Sequence, residues 1–374
     1  MSSAALLPPL VPLPSLDTKL QAQPSAIVIL RSWLTLNAFT YRWFLFAPLH
    51  HCYNMSAATH VIILQNGLLG HHWQMAPVSS FLQQALPGTE LAIVTSDVNN
   101  MLSTFYGIEP CGERLREFVK SQRRLHPLAT KISFIGHSLG GLIIRHCIGL
   151  LQEEHFFGTD RSRGQLQPVL YVAIASPHLG VPSLDAFRQA LARWVIRGTG
   201  EPLLLEDAGK LLFHMSVPDS KFMLGLRQFQ LFAYGNLVAD SQVSFDTACL
   251  CDSSSVQLYA VDAEPPTCIV ALESVGNGQL VRVVHHETSG DAALSGDARI
   301  ICNNLRSLPW KSYATNLAGW LTPHNAILNN GISQTLGFSS QTVVLESIAR
   351  HLSDATGLQR AEPVAKSRKG CNVM

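Results

Sequence analysis

Near residue 60 the apolar and polar positions along the chain settle into a regular pattern. HVIILQNGLLG (60–70) is a run of apolar residues ending in a glycine-bounded turn, the pattern of a strand buried on both faces of a parallel sheet. LAIVTSD (91–97), KISFIGHS (131–138) and LYVAIASP (170–177) repeat that pattern. Between them, GERLREFVKSQRRL (112–125) sets Leu115, Phe118, Val119 and Leu125 among charges, as an amphipathic helix does. GGLIIRHCIGLL (140–151) reads as a second helix. Strand and helix alternate, which predicts a mostly parallel central sheet with helices on both faces.

Further along, RQFQLFAYGNLVADSQVSF (227–245) is a strand-like run that ends in a polar turn. Residues 253–300 look like an insertion, with strand-like VQLYAV, TCIVALESV and LVRVVHHE separated by turns, and form either a β-excursion or a lid. QTVVLESIARHLSD (341–354) has the spacing of an amphipathic helix. The expected organisation is an extension over 1–57, a catalytic domain over 58–355 and a flexible tail over 356–374. The extension carries an apolar stretch interrupted by Arg31 and Arg42, so it is expected to be partly disordered or membrane-associated, without the form of a clean signal peptide or span.

Composition narrows the function classes. The 374 residues suffice for a full hydrophobic core, and 47% apolar with 14% charged residues excludes a disordered chain. With 27 Lys+Arg against 26 Asp+Glu there is no overall field to hold nucleic acid. The eight cysteines are scattered and include no CxxC pair, which favours reduced thiols over a disulfide scaffold or a metal site.

Gly136-His137-Ser138-Leu139-Gly140 fits G-x-S-x-G between a strand and a helix, the context that motif requires. Gly136 and Gly140 permit the tight turn that lifts the Ser138 hydroxyl out of the sheet. The helix N-terminus then offers the Leu139 N–H to developing negative charge. A second oxyanion donor is expected from the turn after the first strand, Asn66-Gly67-Leu68-Leu69-Gly70, with Leu68 the candidate. The acid and base of a triad should follow the serine in chain order. Asp240, Asp246 and Asp252 all qualify as the acid by position. For the base, His324 in PHNAI precedes a helix late in the chain, whereas His285 and His286 sit in a β-like run and His351 in a helix.

GLLG, TFYGIEPCGERL, FIGHSLGGL, YVAIASPHLG, YGNLVADSQVSF and LPW with a late histidine, in that order, resemble the lipase-like serine esterases of the α/β-hydrolase superfamily over about residues 58–335. The resemblance implies the α/β-hydrolase fold and a Ser138, Asp240, His324 triad, which selects Asp240 among its neighbours. It further implies a lipase or acyl esterase working through an acyl-enzyme, with a lipid substrate, no cofactor and no metal. Many relatives carry His-Gly where this chain has Asn66-Gly67. A thioesterase would use the same triad, and a non-catalytic membrane-tethered module would be expected to have lost it. The chain closes on Lys366, Arg368, Lys369 and Cys371-Asn-Val-Met, a C-a-a-X pattern with a basic run before it. Prenylation of Cys371 is therefore expected, with peripheral attachment to the cytoplasmic face of a membrane.

Overall fold

The computed structural model describes residues 57–88, 90–181, 197–237, 240, 242–251, 256–261, 269–270, 275, 279–285, 294, 296–317, 323–328 and 342–361. The expectations for nearly all of residues 1–57, for Cys371 and for Asp252 and His286 fall outside the described residues.

Five strands read from the apolar runs form a continuous parallel ladder: β1 (His60–Gln65), β2 (Leu91–Thr95), β3 (Lys131–His137), β4 (Gln167–Ile174) and β5 (Gln230–Asn236). β9 (Trp310–Thr315) adds to it in parallel beside β5. With β6 (Val256–Ala260), β7 (Ile269–Val270) and β8 (Leu280–His285), the spatial order is β2-β1-β3-β4-β5-β9-β8-β6-β7. Side chains alternate between faces along each strand. Val61 and Ile63 of β1 enter one core with Ala92, Val94, Phe134 and Tyr171, while Ile62 and Leu64 enter the other with Ile93, Ile135 and Val172.

Helices cover both faces. α1 (Ala76–Ala85) and α10 (Val343–Thr356) pack on the second core. α2 (Ile108–Leu125) and α3 (Leu139–Glu153) pack on the first. α3 is buried around most of its circumference, including the whole Arg145 side chain, which explains why its sequence is apolar rather than striped. This is the α/β-hydrolase arrangement. α10 extends to Thr356, and Ala361 N–H still donates to Ala85 O at 2.9 Å. The chain is thus tied to the domain at 361, where a free tail was expected from 356.

The segment between the strand-end acid and the late histidine continues the sheet. β6 (Val256–Ala260) and β8 (Leu280–His285) pair antiparallel with each other, β8 pairs antiparallel with β9, and β7 (Ile269–Val270) adds two residues beyond β6. Of the two forms expected for this insertion, its described residues take the β-excursion.

Two interior histidines give the fold a pH dependence. His60 in β1 bonds the Ser133 hydroxyl at 2.9 Å, and burial, aided by the Lys131 charge, holds its pKa down at about 3. His137 in β3 is likewise held at about 3 by burial and by neighbouring His324. Both stay neutral in the native state, while in the unfolded chain they protonate near 6.5. Their contribution is therefore whole above pH ~6.5 and is lost as pH falls toward about 3. At pH 5 each should lower the unfolding free energy by about 2 kcal/mol, or ~4 kcal/mol together. Burial also lowers the pKa of His146, His178 and His351 and adds loss in the same direction, so urea unfolding should give a clearly lower stability at pH 5 than at pH 7.5, and equal stabilities would contradict it.

Candidate active site

The parallel ladder directs the carboxyl ends of β1, β3, β5 and β9 to one edge of the sheet, the edge where open α/β sheets place their ligands. Each sequence-predicted residue lies just beyond one of those ends. Ser138 follows β3, the Asn66–Gly70 turn follows β1, Asp240 follows β5 and His324 follows β9 in the short helix α9 (Pro323–Ala326).

Ser138 sits at φ 55°, ψ −129°, a backbone conformation that a residue with a side chain seldom adopts. The turn is held by Ser138 N–H donating to Ile174 O at 2.8 Å and by Gly141 N–H donating to Ser138 O at 3.1 Å. Gly140 is required by close approach, since a Cβ there would lie 2.4 Å from Gln65 O and 2.7 Å from Asn66 O. At Gly136 a Cβ would lie 2.6 Å from Gly141 N. The two glycines thus let α3 start directly against the ends of β1 and β3, leaving the serine partly exposed.

Asp240 and His324, 84 positions apart, meet with Nδ1 of the imidazole 2.9 Å from Oδ2 of the carboxylate. Their side chains are only 2% and 5% exposed, respectively. A carboxylate can only accept, so Nδ1 carries the proton, and in the neutral ring Nε2 is left with a free lone pair. The other carboxylate oxygen, Oδ1, accepts the Gln242 and Val243 N–H groups at 2.9 and 3.0 Å. Burial pushes the Asp240 carboxyl upward, but His324 and the two backbone donors outweigh it and hold the group below its ordinary value.

His137 links the pair to the elbow. Its Nε2–H donates to His324 O at 2.9 Å, and the two rings lie 4.8 Å apart between centroids. The residue before Ser138 therefore holds the backbone of the candidate base. The sequence reading missed this role, although His137 occupies the variable position inside the motif. The rival histidines lie elsewhere: His285 ends β8, and His351 stacks on Phe232 within α10 at 4.1 Å. Asp246 lies in the first turn of α7 (Phe245–Cys249).

The loop after β1 closes over Ser138. A Cβ at Gly67 would stand 2.6 Å from Ser138 Cβ and 3.1 Å from its Oγ. Gly70 N–H donates to Gly67 O at 3.0 Å, and Leu69 sits at φ 52° with its N–H on Thr104 Oγ1 at 2.9 Å. Among the described residues no protein acceptor takes the N–H of Leu68 or of Leu139. Two unpaired donors thus border a partly exposed hydroxyl, an arrangement suited to an oxyanion. Among the described residues no cluster of His, Cys, Asp and Glu is arranged to hold a metal ion.

The model of the family described as "Putative serine esterase (DUF676)" matches residues 55–254. "Putative lipase ROG1" of Saccharomyces cerevisiae is 31% identical over 169 residues, 43% of this chain and 24% of that protein. "Putative lipase C4A8.10" of Schizosaccharomyces pombe is 26% identical over 215 residues, 52% of this chain and 26% of that protein. The match thus spans about a quarter of the length of these curated relatives. Among solved structures, a lipase-esterase related protein from Clostridium acetobutylicum shares 9% identity at a TM-score of 0.39, covering 80% of this chain and 95% of that one. The RedJ thioesterase of Streptomyces coelicolor shares 20% identity at a TM-score of 0.30, covering 63% and 85%.

Proposed function

The chain belongs to the serine esterase family whose model its residues 55–254 match, and from that membership we propose that it hydrolyses carboxylic esters of lipids with Ser138, His324 and Asp240 as its triad. The observation that carries this reading is the 2.9 Å contact of Asp240 Oδ2 with His324 Nδ1 at the strand edge that also bears Ser138.

In this mechanism His324 Nε2 takes the Ser138 hydroxyl proton as Oγ bonds to the ester carbon and the carbonyl electron pair moves onto oxygen. The Leu68 and Leu139 amides receive that oxyanion. Collapse re-forms the carbonyl and breaks the bond to the alcohol oxygen, which leaves with the proton held by His324. Water then repeats the sequence on the acyl-enzyme, giving the acid and the free serine. Asp240 fixes the tautomer of His324 and stabilises the imidazolium while it lasts.

A lipid substrate is supported by the surface beside the loop. The 3₁₀ turn Met101–Tyr106 is tied to that loop by Met101 N–H on Gly70 O at 2.7 Å, yet leaves Leu102 64% and Tyr106 71% exposed. Large apolar groups beside the candidate site suit an acyl chain or a lipid surface better than a polar solute. A fluorophosphonate probe should label the wild-type chain covalently and spare Ser138→Ala. A folded wild type that takes no label would refute the serine hydrolase reading.

A further inference from the structure

The donor strength of Leu68 depends on which way one peptide group faces. The Leu68 N–H and the Gly67 carbonyl belong to the same planar trans unit and point in opposite directions. Whatever holds that carbonyl therefore decides where the N–H is offered. Gly67 O accepts from Gly70 N–H across the turn and also from the side-chain Nδ2 of Asn66, at 3.2 Å.

Asn66 is fully buried and is itself held firmly. Its Nδ2 also donates to Asn99 O at 2.9 Å, and its Oδ1 accepts from Gln65 Nε2 at 3.3 Å. Asn99 in turn donates through Nδ2 to Cys111 O at 3.0 Å and to Gln65 Oε1 at 3.4 Å, and accepts from Arg114 Nε at 2.9 Å. Arg114, on α2, also donates to Ser103 O at 2.8 Å. A chain of hydrogen bonds thus runs from α2 through the loop after β2 to the single carbonyl that sets the Leu68 amide.

We propose that Asn66 is a positioning residue for the oxyanion donor, its carboxamide bracing the Gly67–Leu68 peptide and the Arg114–Asn99 pair bracing Asn66. The inference rests on the serine esterase reading of the site. A carboxamide does not titrate, so this brace holds equally at acid and neutral pH, where an imidazole in its place would change charge.

The test compares the wild-type 374-residue chain, Asn66→Ala, Asn66→Asp and Arg114→Met for kcat and KM on a p-nitrophenyl ester and for inhibition by an alkyl trifluoromethyl ketone, whose serine adduct carries an oxyanion. Loss of a properly aimed donor acts on the transition state alone. Both Asn66 variants should lose on the order of 10- to 100-fold in kcat, lose ketone affinity by the same factor, and change KM less than about 3-fold. The carboxylate of Asn66→Asp would face Gly67 O without a proton to donate, so its loss should exceed that of alanine. Folded variants with kcat within about 2-fold of wild type, or with a change confined to KM, would overturn the proposal. If the Asn66 variants do not fold, Arg114→Met decides. A parallel fall of about 3- to 10-fold in kcat and ketone affinity supports the brace, and unchanged values overturn it. A wild type that neither turns over the ester nor binds the ketone would instead remove the serine esterase reading itself.

Discussion

Asp240→Asn is expected to lower kcat by on the order of 10⁴-fold with the fold retained. The carboxylate makes two kinds of contact that this substitution separates. Oδ1 accepts the Gln242 and Val243 N–H groups, and an amide oxygen can accept both of them. Oδ2 accepts from His324 Nδ1, where the substitution sets an NH₂ group instead. Two donors cannot face each other at 2.9 Å. The ring must then place its proton on Nε2, which no longer has a lone pair for the Ser138 hydroxyl, and the imidazolium loses its counter-charge. Steady-state kinetics with circular dichroism melting measures both parts, and a rate within about 10-fold of wild type would show that Asp240 is not the acid.

Gly67→Ala should lower kcat/KM by about 10²- to 10³-fold. Its Cβ would meet Ser138 Cβ at 2.6 Å and His137 O at 3.1 Å, atoms fixed by the strained elbow and by β3. Neither is the end of a flexible side chain, so the loop after β1 must withdraw. In the proposed mechanism, withdrawal carries the Leu68 amide away from the oxyanion, and any remaining overlap crowds Ser138. Because the strain falls on a turn at the sheet edge, the melting temperature should move far less than the rate. An alanine variant with wild-type kcat/KM would argue that the loop plays no part in the reaction.

Much of this site was legible in the sequence because it is written in short-range chemistry. Two glycines around Ser138 and a strand before it announce an elbow, and the order of acid and histidine follows from the resemblance and the fold. Element ends shifted by a few residues, as at α2, which begins at Ile108 where the charged pattern begins at Gly112, because Ile108 and Cys111 belong to the core. The choice of Asp240 over Asp246 came from the resemblance alone, because the contact that sets Asp240 apart spans 84 positions and no local pattern encodes it. The Asn66–Asn99–Arg114 chain was invisible for the same reason. Its members lie in three separate segments and look individually like turn and surface residues. His137 lay inside the motif, but its bond to the His324 carbonyl exists only once β3 and the segment after β9 are brought together.

The antiparallel excursion also changes the mechanical standing of β9. Without it β9 would be a terminal strand, open to solvent on one side and free to fray. With β8 alongside, Ser312–Thr315 are paired on both flanks, to β5 and to β8, and the last described pairing is the two-residue β7. The segment carrying His324 therefore departs from a strand clamped on two sides, whose amides belong to the slowly exchanging interior rather than to a breathing margin.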